Sequence, residues 1–99
     1  MAAVAAIAGC TELAPRVTPE FAAAAQARDP QADPAVLARG REVFVRECAA
    51  CHALPAPGST PAADWPHEMA VMGRKSRLTA GDEHATLTYV LAAQSAAGH

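Results

Sequence analysis

Cys48, Cys51 and His52 are three side chains within five residues that can act on a single ligand. Thiolates are nucleophiles and soft metal ligands, and the imidazole beside the second thiol adds a nitrogen donor at the same place. C-x-x-C-H is the spacing at which two thiols can add to the two vinyl groups of one porphyrin, with the next histidine falling under its iron. The competing uses of a C-x-x-C pair need partners that are not in view. A thioredoxin-like redox pair wants a strand feeding the motif, whereas the residues ahead of Cys48 read as helix. A zinc ribbon wants a second C-x-x-C, and the third cysteine is far away at Cys10. His67 and His84 could join a Cys2His2 site, but they lack the close histidine spacing of such sites.

Composition argues in the same direction. The 99 residues make one small domain, and much of the 52% apolar content is alanine, which buries little surface. Phe21, Phe44, Trp65 and Tyr89 are the aromatics. Such a chain struggles to build a core unaided, and a covalently held porphyrin would supply the missing apolar bulk. A net charge of −2 leaves no basic face for nucleic acid. Arg74, Lys75 and Arg77 form a local basic cluster, readable as a solvated loop, a pairing site for propionates or a docking patch for an acidic partner.

The elements that must position the motif can be read from capping and periodicity. Asp33-Pro34 is an N-cap followed by proline at the first helical position. Val36, Leu37, Gly40, Val43 and Phe44 then recur at helical spacing, with Arg39, Glu42 and Arg46 pointing away, and this helix runs into Cys48. Gly40 inside it costs about 1 kcal/mol relative to alanine, so a packing reason is expected: the close approach of another backbone. Thr79 is an N-cap for a last helix, Asp82 suits its N-terminal dipole, and Leu87, Val90 and Leu91 share a face with Tyr89 beside it. Between the two helices Pro55, Pro57, Gly58 and Pro61 forbid regular structure, and a carbonyl at Pro55 or Pro57 is placed to orient His52.

Asp64-Trp65-Pro66 reads as the start of a short helix, with Trp65, Met69 and Met72 on one face. Taken together, C-x-x-C-H, the Gly40-x-x-x-Phe44 pair ahead of it, the run from Trp65-Pro66 to Met72-Gly73 and the Tyr89-Val90 pair resemble the small c-type cytochromes over residues 33 to about 93. The resemblance implies an all-α, cytochrome c-like fold of about three to four short helices around one covalent haem c. It implies that Cys48 and Cys51 tether the haem and that His52 and Met72 hold its iron, with Met69 as a packing neighbour. Trp65 would cover the haem edge, donate to a propionate or simply pack in the core. Glu68 stands where the family usually has an apolar residue. Met69, His67, His84 and an open position are the other possibilities on the distal side.

Ile7-Ala8-Gly9-Cys10 resembles the lipobox of bacterial lipoproteins, in which the cysteine is lipidated and becomes the mature N-terminus. Residues 1–9 then read as a signal-peptide remnant, 10–32 as a lipidated N-terminus and flexible tether with a transient helix near Phe21 to Arg28, and 33–99 as the haem domain. The expectation is a periplasmic, lipid-anchored carrier that passes single electrons between redox protein partners, with no small-molecule substrate, no nucleic acid and no enzymatic step of its own. The rival classes are a haem-based gas sensor or small peroxidase with a labile sixth ligand, and a haem subunit of a larger membrane oxidoreductase.

Overall fold

Three of the four described helices start where a side-chain oxygen takes up an orphaned backbone N–H. The computed structural model describes residues 14–47 and 60–96, which form four α-helices and one short 3-10 turn, with no strand among the described residues. Helix α1, Pro19–Arg28, begins at Thr18, whose hydroxyl accepts from the Phe21 N–H at 3.1 Å. Helix α2, Pro34–Glu47, begins at Asp33, whose carboxylate accepts from the Val36 N–H at 2.9 Å. Helix α3, Trp65–Lys75, follows the 3-10 turn Ala62–Asp64 and carries Pro66 in its first turn. Helix α4, Ala80–Ala96, begins at Thr79, whose hydroxyl accepts from the Asp82 N–H at 3.1 Å.

Between α3 and α4 the chain reverses through an end motif normally built on glycine. Leu78 N–H donates to the Gly73 carbonyl at 2.9 Å and Arg77 N–H to the Arg74 carbonyl at 3.3 Å, while Arg77 sits at φ 55°. This is the paired 6→1 and 5→2 closure of a helix end, with an arginine in the left-handed position.

Helix α4 is the hub. Its buried face is Ala85, Thr86, Tyr89, Val90 and Ala93, whereas Leu87 and Leu91 are only half-buried. Helix α2 makes the most extensive contact with it, α3 and α1 smaller ones, and the backbones of α2 and α3 scarcely meet. Gly40 explains the closeness of the α2–α4 crossing: a Cβ there would lie 2.7 Å from Tyr89 Cβ and nearer still to the Ala85 carbonyl oxygen. The Phe44 and Tyr89 rings meet just beyond, centroids 6.0 Å apart. Buried threonines are satisfied within α4, Thr86 donating to the Asp82 carbonyl at 2.6 Å and Thr88 to that of His84 at 2.8 Å.

The N-terminal segment differs from the expected tether. From Ala14 onward it is docked on the helices, with Ala14 only 1% exposed and in one core cluster with Phe44, Trp65, Met69 and Tyr89. Helix α1 lays Ala22 and Ala25 against Ala32 and Leu37, while Phe21 meets the Tyr89 ring at 5.9 Å. Alanine packs well here because small side chains let α1 lie close to its neighbours; the same residues look like linker only while their partners are unknown.

Candidate functional site

Helix α2, fixed by Gly40 and Phe44, has Glu47 as its last described residue, and Cys48 follows it in the sequence. Cys48, Cys51, His52, Pro55, Pro57 and the N-terminal Cys10 lie outside the described residues. The chain re-enters at Thr60, whose carbonyl accepts a hydrogen bond from the Gln94 side-chain amide at 2.5 Å. The described residues on either side of 48–59, Glu47 and Thr60, are each tied to α4, one through α2 and the other through Gln94.

The residues of α3 divide sharply by burial. Trp65 and Met69 are each 1% exposed and share the core cluster with Phe44, Tyr89 and Val90. Met72, one turn further on, is half-buried. His67, Glu68 and His84 are exposed, and an exposed Glu68 suits a helix whose opposite face is in the core. Among the four named distal candidates, then, the two histidines face solvent, Met69 is committed to the core and Met72 lies at the boundary. Val45, three residues ahead of Cys48, leaves 37% of its surface exposed despite being large and apolar.

Among the described residues the apolar side chains around α3 are packed against one another, Phe44, Trp65, Met69 and Val90 each being at most 1% exposed. Phe44, Trp65 and Val90 bring apolar surface from three helices into one cluster. By residue type, the two thiols and imidazole of C-x-x-C-H and a methionine thioether are the donors that attach and ligate a c-type haem. No group of three or more His, Cys, Asp or Glu side chains placed to share a metal ion occurs among the described residues.

The electrostatics reinforce the framework. Arg39 Nε and Nη2 donate to the two Asp82 carboxylate oxygens, each at 2.9 Å, a two-pronged bridge from α2 to α4 across the Gly40 crossing. The hydrogen bond from Arg39 holds the Asp82 carboxyl below the usual carboxylate range, and the same bond raises Arg39. Burial pushes the Tyr89 phenol well above its ordinary value, and its hydroxyl donates to the Pro15 carbonyl at 2.7 Å. Arg74, Lys75 and Arg77 are all exposed at the end of α3.

Periodicity placed Arg39 on an outward face and assigned Asp82 to the helix dipole, so it missed that they join. Nothing local could have paired them, since they stand 43 residues apart. Ala14, Pro15 and Arg41 were also missed, although Thr18-Pro19 carries the same capping grammar as Asp33-Pro34.

A shallow cavity of about 380 Å³ opens between α1 and the last turns of α4, lined by Phe21, Ala25, Leu91, Ala92 and Ser95 among others. Among the described residues no helix is long and apolar enough to cross a membrane. The chain matches no known family model, no curated protein and no solved structure.

Proposed function

We propose that this chain is a monohaem c-type cytochrome, a one-electron carrier with His52 and Met72 on the iron and thioether links at Cys48 and Cys51. What supports the reading is the C-x-x-C-H run at the foot of a helix whose Gly40 lets α4 approach at Tyr89. The haem, when bound, supplies a one-electron couple, and a thioether ligand favours a higher potential than a second imidazole.

The work of the chain is to hold that group still and partly dry. The α2–α4 crossing, closed by Gly40 and bridged by Arg39 and Asp82, holds the helix that precedes Cys48 in the sequence. Trp65 and Met69 keep water from the inner side of α3 by filling the core. Met72 is left half-buried, so its sulfur is not consumed by core packing. The exposed Arg74, Lys75 and Arg77 suit pairing with propionates or docking of an acidic redox partner. Lipidation at Cys10 would keep the carrier at a bacterial membrane on the periplasmic side.

The test is covalent attachment. After expression with periplasmic haem-attachment machinery, the denatured chain should retain one haem, and Cys48→Ser with Cys51→Ser should retain none. A native chain that yields no covalent haem under those conditions contradicts the reading.

A further inference from the structure

Helix α4 has a second face that the central core does not use. Thr88, Leu91, Ala92 and Ser95 recur along it at helical spacing, apart from the core-facing Tyr89 and Val90. Helix α1 presents Phe21, Ala24, Ala25 and Arg28 at the same spacing. The two stripes line the cavity of about 380 Å³, a size within the range of small-molecule sites. Its walls are mostly apolar. Phe21 and Leu91 remain half-buried there, and Phe21 is the one aromatic of the four that the fold does not bury fully.

Most polar groups of the lining are already engaged. Thr88 donates to the His84 carbonyl, the Gln94 amide donates to the Thr60 carbonyl, and the Asp29 carboxylate accepts from the Gln31 N–H. Ser95 differs: its hydroxyl is buried from solvent and has no hydrogen-bond partner among the described residues. A buried hydroxyl left unpaired costs free energy, which a bound oxygen would offset. The charged residues of the lining, Arg28 and Asp29, are neighbours of opposite sign, so the site favours no net charge. We propose that the cavity between α1 and α4 binds a small, uncharged, mostly apolar molecule whose single hydroxyl or carbonyl oxygen pairs with Ser95. Its apolar body covers the surface that Phe21 and Leu91 leave exposed. The site uses a different face of α4 from the cluster of Phe44, Trp65 and Met69, and it does not rest on the haem reading.

The experiment titrates the full chain, under reducing conditions, with 1-naphthol and follows the backbone amide NMR shifts. Naphthalene, which lacks the oxygen, and 1-naphthoate, which carries a charge, are the comparison probes. Saturable shifts confined to the residues lining the cavity are expected, half-complete below about 1 mM. Naphthalene and 1-naphthoate should each bind about five-fold more weakly or worse. Ser95→Ala should remove the preference for naphthol over naphthalene while leaving naphthalene binding unchanged. Ala24→Leu brings bulk into the cavity from an exposed position, so the fold is kept, and should weaken naphthol about ten-fold or more. No saturation by about 1 mM, shifts centred away from the lining, or an Ala24→Leu chain that binds as the native one does would each overturn the site. Equal binding of naphthol and naphthalene to the native chain, or a preference that survives Ser95→Ala, overturns the pairing with Ser95. Naphthoate bound as tightly as naphthol overturns the uncharged class.

Discussion

Helices α2 and α3 both lean on α4, yet they are held in very different ways. The α2 contact is shut by a glycine against backbone, filled by the Phe44 ring tilted against Tyr89 and bridged by Arg39 and Asp82. The α3 contact rests on Trp65 and Met69 and on Gly73 against the movable Glu83 side chain, and ends in a turn that places an arginine at a positive φ. The difference matches a division of labour. The closely packed helix leads into Cys48, where attachment is covalent and permanent in the proposed site. The helix held by fewer contacts carries Met72, where the bond to iron would be a replaceable one.

The largest expected effect lies at the crossing. Gly40→Ala drives a methyl group into the Ala85 carbonyl and Tyr89 Cβ, neither of which can move without opening the helix pair. A loss of about 3 kcal/mol or more is expected in denaturant unfolding. Gly81→Ala is the control, since the nearest atom to its added Cβ is Thr79 Oγ1 at 4.0 Å. A small gain, about 0.5 kcal/mol, should result from reduced freedom of the unfolded chain. Similar losses for both would mean that the two glycines differ in nothing but position.

Next in size is the contrast within α3. Met69→Ala empties a fully buried site and should cost about 2–3 kcal/mol of stability. Met72→Ala, at a half-buried site, should cost about 1 kcal/mol or less in the haem-free chain. Equal costs in urea titrations would remove the distinction between a core methionine and a boundary one. The turn after α3 offers a smaller, opposite change. Arg77→Gly relieves the φ 55° position and should stabilise by roughly 0.5–1 kcal/mol, read as a raised denaturation midpoint.

The smallest effect concerns the Arg39–Asp82 bridge, which is solvent-accessible and screened by salt. Because the folded carboxyl titrates below its unfolded value, its contribution is present above the ordinary aspartate range near pH 4 and is lost as pH falls through the lowered folded value. Asp82→Asn should therefore differ from the native chain most at neutral pH and low salt, with the two unfolding curves converging in acid. A gap that widens on acidification would reverse the sign and discard the bridge as the cause.

Much of the framework is legible in the sequence. Asp33 and Thr79 marked two helix starts because short polar side chains at those places have one strong local use, and both make it. The spacing of Gly40 and Phe44 called for a close helix partner, and α4 supplies it at Tyr89. The docking of the N-terminal segment was not legible. Prolines and alanines between residues 14 and 32 have weak periodicity, and their burial comes from surfaces on α2 and α4 that no local window contains. Trp65, Met69 and Met72 were placed on one face by spacing alone. Their unequal depth is set by how far α3 tilts onto α4, a tertiary quantity.

The central claim is tested most directly by the near-infrared absorption of the oxidised, haem-loaded protein. The account expects a low-spin c-type spectrum with a sulfur-to-iron charge-transfer band that Met72→Ala abolishes and Met69→Ala leaves in place. A high-spin spectrum, or a band that survives Met72→Ala and vanishes in Met69→Ala, would contradict the assignment of Met72 to the iron.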